Sequence, residues 1–479
     1  MKGTGRGQGL PGRALREAVA TLLAALACLA CTLAIDRERG PAILAVVLCL
    51  SLSRSQLDRD LRGRLEAALA LPLVSLAALG VAWLLHHMPW VGAAAFTAAI
   101  GASIWLRRFG TLGRRAGTLI ALPFVVILVT PYVPPRHLGP AMVLMMPVIV
   151  ALLALFWVSA VHGLGQRLGL LRIAVQREES ALPAPVAGGM RPIASTRMAL
   201  QMALALAVAF VVGYGLFAER WAWIVLTAFI VGSGNRGRLD VAYKSVLRVL
   251  GAAAGSIAAL VFGGQMAGHG GAAVGLMLAA LFLGVWLRPL GYGWWALFIT
   301  LALAVLQGFN GDAAAVQGVL WLRLEEIVIG ALIAVAAAWF VLPVRSADVL
   351  RRRLADALAA LAKALEAPGH GGSKNLVLQF DHIEEMAPSF RAVRHLARHL
   401  RIVAVQPADW IDELAACRVS ALALVEGGTV APGQLRKAVG AARKALRDPA
   451  TLAPALREMR AALDAAAPEP RGEGAAARN

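Results

Sequence analysis

The sequence contains repeated runs of about 20 predominantly apolar residues, the length that an α-helix needs to cross the hydrocarbon core of a bilayer. Hydrophobic residues make up 59% of the chain and charged residues only 16%. This composition is too apolar for a soluble enzyme. The runs therefore predict an all-α, polytopic membrane protein.

Twelve such spans can be delimited in the first 343 residues, and basic residues concentrate in alternate connections between them. The spans lie near residues 14–35, 41–53, 65–86, 90–106, 116–133, 139–162, 197–217, 221–234, 247–266, 272–287, 292–309 and 318–343. With a cytoplasmic N-terminus, 22 basic residues that lie outside the spans or within their first three residues fall on the cytoplasmic side and 4 on the other. By the positive-inside rule, both termini are expected in the cytoplasm.

An internal repeat relates the two halves of this region. The sequence IWLRRFG at 104–110 recurs as VWLRPLG at 285–291, an offset of 181 residues that also relates Arg16 to Arg197. Because six spans is an even number, the two copies are expected to have the same orientation, as parallel repeats. The predicted domains are a first six-helix transmembrane repeat (1–162), a cytoplasmic linker (163–196), a second six-helix repeat (197–344), a cytoplasmic helical domain (345–467) and a disordered tail (468–479).

The second and eighth spans are short, at about 13–14 residues each. Short segments at matching positions of two repeats point to a substrate site, because broken helices expose backbone dipoles to a ligand. A misplaced boundary or a locally thin bilayer explains the same observation without a site.

Three charged residues lie inside the twelfth span: Arg323, Glu325 and Glu326. Charged groups in hydrocarbon are costly and usually face a cavity or a partner. Arg323 and Glu326 are spaced i, i+3 and can pair, whereas Glu325 points elsewhere. A partly desolvated carboxylate suits proton binding, so all three are candidates for proton coupling, Glu325 ahead of Glu326. A structural ion pair is the alternative.

A basic cluster surrounds the start of the ninth span. It comprises Arg236, Arg238, Lys244 and Arg248, with Trp221 at the start of the short eighth span. Such a cluster beside a broken helix is a candidate binding site for an organic anion. Positive-inside topology with contacts to lipid phosphates is the alternative for the basic residues, and interface anchoring is the alternative for the tryptophan. Gly251 and Gly255 form a GxxxG motif, which allows another helix to approach closely.

Motifs for other functions are absent from the sequence. It has no phosphate-binding loop, no metal-ligand cluster and no nucleophile constellation, so we expect neither a cofactor nor an enzymatic activity. The tail after residue 344 has 20 basic and 15 acidic residues. This near balance argues against nucleic acid as a partner.

The tail alternates helical patterns with proline and glycine breakers, which predicts a bundle of four or five helices. One apolar face is formed by leucines at helical spacing. These are Leu350, Leu354, Leu358, Leu361 and Leu365.

The segment from Arg197 through Pro343 resembles the transporter domain of fusaric acid resistance (FUSC) proteins and their aromatic acid exporter relatives. The matching stretches are RWAWIVLTAFIV at 220–231, the sequence from Arg248 to Gly251 followed by Gly255, and RLEEIVIGALIAV at 323–335. Ala252 departs from the threonine that the family often has there. The resemblance implies export of small, often aromatic, organic acids across the bacterial cytoplasmic (inner) membrane. It also implies a homodimer and, in some relatives, a periplasmic adaptor protein.

Three functions remain open at this stage. The first is a secondary exporter of organic acid anions that is coupled to protons. The second is an uncoupled organic-anion channel. The third is a membrane-anchored scaffold that presents the helical tail to a partner.

Overall fold

The chain folds into helices that group into two compact units. The computed structural model describes residues 10–55, 61–129, 139–171, 194–217, 220–234, 236–265, 270–308, 313–366, 372–401, 406–428 and 431–467, and no strand occurs among them. One unit, the membrane unit, comprises Met1–Asn235 with Lys244–Pro343; the other, the C-terminal unit, comprises Arg236–Tyr243 with Val344–Asn479. The predicted disordered tail and most of the predicted linker lie outside the described residues.

The apolar runs form twelve of the described helices. They are α1 (Leu10–Ile35), α2 (Arg39–Ser55), α3 (Leu61–His87), α4 (Pro89–Trp105), α5 (Gly110–Val129), α6 (Pro140–Arg167), α7 (Ala194–Leu216), α8 (Ala222–Gly232), α9 (Arg238–Gln265), α10 (Gly270–Leu287), α11 (Tyr292–Gly308) and α12 (Ala313–Phe340). Within the described residues, eight segments are long and apolar enough to cross a membrane, and three more are shorter apolar helices. The protein is therefore a helical membrane protein.

Both copies of the repeated heptapeptide form the same local structure. Helix α4 is followed by a 3-10 turn at Leu106–Phe109, and α10 is followed by a 3-10 turn at Arg288–Leu290. A glycine ends each turn, and Gly110 has a φ of 78°, a left-handed conformation that favours glycine. The two turns redirect the chain into α5 and α11.

The two spans expected to be short differ in length. Helix α2 has 17 residues and α8 has 11, or about 25 Å and 16 Å at 1.5 Å per residue. Only α8 is much shorter than a bilayer core of about 30 Å. Its residues from Trp223 to Ala228 are all buried, as expected for a helix that is apolar on every side.

The C-terminal unit is a helical bundle with a leucine-rich core. Its described helices number seven rather than four or five: α13 (Ser346–Glu366), α14 (Gly372–Glu384), α15 (Ala387–His399), α16 (Pro407–Ala416), α17 (Arg418–Glu426), α18 (Gly433–Ala445) and α19 (Pro449–Ala466). The extra breaks fall before Ala387, where Pro388 occupies the first turn of the next helix, and at Cys417, where the sequence has neither glycine nor proline and tertiary packing sets the break. The five leucines of the predicted apolar face are at most 4% exposed.

A network of charges joins α15 to α16. Arg391 and Arg394 each contact Asp412, at 2.8 and 2.6 Å between nitrogen and oxygen, and Arg394 also contacts Asp409 at 2.7 Å. Burial alone would raise the pKa of Asp412, but the hydrogen bonds from both arginines outweigh burial and hold this pKa below its ordinary value.

The lowered pKa predicts how acid affects this bundle. The contribution of ionised Asp412 to stability is complete above its unfolded pKa of about 3.9 and is lost as pH falls through the lower folded pKa. We expect Asp412→Asn to cost about 1 kcal/mol at neutral pH, because the carboxylate is partly exposed and screened. This loss of stability can be measured from the hydrogen exchange of residues 406–428 in the whole protein. Asp348→Asn, at an exposed pair with Arg351, is the control; equal effects of the two substitutions would contradict the prediction.

Candidate functional site

The short helix α8 lies directly against α12, because a glycine removes the side chain that would separate them. A Cβ placed on Gly330 would be 2.5 Å from the carbonyl oxygen of Ile224 and 2.9 Å from the Cβ of Thr227. Backbone contact this close positions the side chains on the facing surfaces of both helices. Arg323 and Glu326 of α12 are therefore held against α8 inside the membrane unit.

Arg323 of α12 is held on α8 by an aromatic side chain. Its guanidinium carbon lies 3.9 Å from the centre of the Trp223 ring, and the residue is 1% exposed. A cation over an indole face is attracted by the ring quadrupole, most strongly where both are removed from water. Trp223 thus contributes to holding a positive charge in the interior.

Glu326 forms a buried ion pair with a residue outside its own helix. The Nε of Arg220, in the turn before α8, lies 2.8 Å from Oε1 of Glu326, whose side chain is fully buried while that of Arg220 is 26% exposed. Arg323 is also attracted electrostatically by Glu326. The carboxylate is therefore shared between the α8 turn and α12.

A third arginine adds to the positive charge of this region. Arg248 of α9 is 2% exposed and repels Arg323 electrostatically, as does Arg220. Within the described part of the chain, Nε of Arg248 has no hydrogen-bond partner, and neither has the buried Oγ1 of Thr227, one turn after Trp223. Buried polar atoms are normally paired, so these atoms are available to water or to a ligand.

Glu325, the acid expected to carry protons, does not join this group. Its side chain is exposed, whereas that of the next residue, Glu326, is buried. Neighbouring residues on a helix point about 100° apart, and only one of the two glutamates faces α8. The structure thus separates the two glutamates that the sequence places together.

The remaining residues of the predicted basic cluster lie elsewhere. Arg236 and Arg238 belong to the C-terminal unit rather than to the membrane unit, and Arg236 forms an ion pair with Glu385. Lys244 donates to the carbonyl of Gly234 at 3.4 Å. Among the four basic candidates, Arg248 is the one that the structure buries beside the charged residues of α12.

Trp221 takes part in an aromatic cluster with α7. Its ring centre is 5.2 Å from that of Phe210 and 5.3 Å from that of Tyr214, and Tyr214 in turn packs edge-to-face on Trp90. These contacts orient the turn that carries Arg220. The ring of Trp221 is thus a packing element of the site.

The first half of the membrane unit lacks a charge at three of the positions that match this group, although Arg39 matches Arg220. The offset of 181 residues places Ala67 at the position of Arg248, Met142 at that of Arg323 and Met145 at that of Glu326. Ala67 is fully buried, so an apolar core occupies the corresponding place. The stretch 142–150, which matches the charged part of α12, is uncharged, so the two halves differ in charge at the positions of both α12 and α9.

Two residues of the site were missed by sequence reasoning. Arg220 is one of the four basic residues outside the spans on the non-cytoplasmic side, and Trp223 lies near the start of the eighth span, where a tryptophan is typical of an interface anchor. A signal existed for the first: a buried glutamate needs a counter-charge, and Arg220 stands beside the short span. No sequence signal identified Trp223 as the partner of Arg323.

Comparison with known proteins bears on the second half of the chain. The model of a family described as "Fusaric acid resistance protein-like" matches residues 201–337. This match confirms the resemblance inferred from the motifs, and it includes Arg220, Trp223, Arg248, Arg323 and Glu326. No curated protein and no solved structure is detectably similar to the chain.

Proposed function

We propose that this membrane protein, whose residues 201–337 match the fusaric acid resistance protein-like family, is a secondary transporter that exports small organic acid anions. One observation supports this most strongly. Arg323 is flanked by Arg248 and Arg220, whereas Glu326 is the one buried carboxylate beside it among the residues that the structure describes. Excess positive charge in low dielectric is costly unless an anion compensates it. A substrate carboxylate between Arg248 and Arg323 would supply that anion.

Proton coupling follows from competition for the same arginines. An ionised Glu326 holds Arg220 and attracts Arg323. Protonation of Glu326 would weaken that hold and increase the positive charge available to a substrate anion, so proton and anion binding become linked. This proposal moves the coupling role from the exposed Glu325 to Glu326. An uncoupled channel built on the same arginines would instead conduct without a proton gradient.

The proposed architecture is two parallel six-helix repeats with both termini in the cytoplasm of a bacterium. Matching helices pack in both halves: α1, α2 and α6 contact one another, as do α7, α8 and α12. The matching 3-10 turns after α4 and α10 support the same relation. The positive-inside distribution supports the orientation.

Arg248→Gln tests the function directly. The substitution removes the charge and retains a hydrogen-bonding side chain, so we expect uptake of benzoate by inside-out vesicles to fall at least about tenfold, since hydrogen bonds to charged groups contribute about 1.5–3 kcal/mol. Arg167→Gln, at an exposed arginine that ends α6, is the control for expression and insertion. Transport of benzoate and of other aromatic acids at wild-type rates by Arg248→Gln would exclude the proposed site.

A further inference from the structure

A second group of arginines lies near Tyr292, at the start of α11. Arg54 from the end of α2, Arg288 from the 3-10 turn after α10, and Arg248 of α9 all interact electrostatically with this tyrosine. Arg54 and Arg288 also repel one another. Arg248 therefore belongs both to this group and to the group around Arg323.

Backbone geometry explains how the three arginines meet. The NH of Gly291 donates to the carbonyl of Arg288 at 3.1 Å, which closes the turn that leads into Tyr292. A Cβ on Gly251 would lie 2.8 Å from the carbonyl oxygen of Gly293, so α9 approaches the first turn of α11 with Arg248 one helical turn away.

Helix α2 brings an arginine of the first half to the same place. Val46 and Leu50 pack against the apolar cluster formed by α9, α10, α11 and α12. Arg54 follows Leu50 by four residues and so lies on the same face of the helix. The group is thus assembled from both halves of the membrane unit.

The group lacks acidic partners in the described part of the chain. No ion pair there involves Arg54, Arg248 or Arg288. The Oη atom of Tyr292 is buried and has no hydrogen-bond partner among the same residues. Guanidinium groups bind carboxylate and phosphate oxygens through paired N–H donors, and a phenol can donate one more hydrogen bond.

We infer that Arg54, Arg288 and Tyr292, together with Arg248, form a loading site for organic anions that carry two negative charges, such as aromatic dicarboxylates. The inference rests on the proposed transport function and specifies its substrate class. A monocarboxylate would offset one of the three positive charges, whereas a dicarboxylate offsets two and offers four acceptor oxygens. Arg248 then links this site to Arg323. The phosphate of an anionic lipid has related chemistry and is the competing occupant.

Binding of phthalate and of benzoate tests the inference, because the two probes share a ring and differ by one carboxylate. Equilibrium dialysis against the whole protein in phosphatidylcholine nanodiscs should show tighter binding of phthalate. Arg54→Gln and Arg288→Gln should each weaken phthalate at least about tenfold and benzoate less, since charged hydrogen bonds are the stronger ones. Tyr292→Phe, which removes only the hydroxyl, should weaken phthalate about three- to tenfold.

Arg107→Gln is the matched control, because Arg107 occupies the position of Arg288 in the first heptapeptide. This substitution should leave phthalate binding unchanged. Equal binding of phthalate and benzoate would overturn the inference, as would phthalate binding that is unaffected by Arg54→Gln and Arg288→Gln. In either case, a loss of benzoate uptake in Arg248→Gln would still support the transport function. Replacing a third of the lipid by phosphatidylglycerol should leave phthalate affinity unchanged. If phosphatidylglycerol lowers the affinity for phthalate in the unsubstituted protein but not in the Arg288→Gln variant, the site binds lipid phosphate, and the inference is overturned.

Discussion

Arg220→Ala should destabilise the membrane unit by about 3–5 kcal/mol, the cost of leaving one partner of a buried ion pair without its counter-charge. Glu326→Gln leaves Arg220, which is 26% exposed, able to reach water. It also leaves Arg323, which is 1% exposed and attracted by Glu326, without that carboxylate. We therefore expect Glu326→Gln to cost about as much as Arg220→Ala. Both losses of stability can be measured as shifts in the thermal midpoint of the purified protein in detergent, with size-exclusion chromatography as the readout.

The double variant shows whether Arg220 and Glu326 stabilise the protein as an ion pair or independently of each other. Arg220→Ala combined with Glu326→Gln removes both charges and should recover much of the stability lost in Arg220→Ala alone. Arg323 is also attracted by Glu326, so the recovery should be incomplete. Glu325→Gln, at the neighbouring exposed position, should leave the midpoint nearly unchanged. Additive losses in the double variant would show that the 2.8 Å contact contributes no coupling energy.

The same variants assign the proton-coupling role. Glu326→Gln resembles a permanently protonated acid, so its anion transport should lose its dependence on pH, whereas Glu325→Gln should retain it. Transport measured in proteoliposomes between pH 5.5 and 8 distinguishes the two. The reverse result would return the role to Glu325, the residue that the sequence alone favours.

Gly255→Ala should destabilise the contact between α9 and α11, although it adds only one methyl group. A Cβ at Gly255 would lie 2.4 Å from the carbonyl oxygen of Leu297 and 3.2 Å from the amide nitrogen of Leu301. Backbone atoms cannot yield as a side-chain end can, so the two helices must separate. Overpacking costs about 1–3 kcal/mol, and this change falls in the upper part of that range.

Gly275→Ala is the matched control for this prediction. A Cβ at Gly275, within α10, would meet no atom within 4 Å, and alanine favours a helix over glycine by about 1 kcal/mol. The same chemical change should therefore lower the thermal midpoint at position 255 and preserve or raise it at position 275. A common direction of shift would show that helix propensity, rather than the approach of α9 to α11, governs both positions.

Much of the fold could be read from the sequence, because a run of apolar residues needs only its own backbone to form a helix. The third span, expected at 65–86, is observed as Leu61–His87, and the tenth, expected at 272–287, as Gly270–Leu287. The ninth, expected from residue 247, begins at Arg238, because Arg238, Asp240 and Lys244 lower the hydropathy of its first turns below that of a membrane span. The unequal lengths of α2 and α8 were likewise not predicted.

The sequence by itself determined that this chain is a helical membrane protein with costly charges at Arg323, Glu325 and Glu326, because both conclusions depend on residue type and spacing alone. Only the tertiary structure decided the partners of those charges. Arg220 and Trp223 reach α12 through the packing of α8 on Gly330, and Arg54 approaches Tyr292 through the packing of α2. Such contacts join residues far apart in the chain, and the side chains that select them are small and apolar, so the sequence carries little information about which helices will meet.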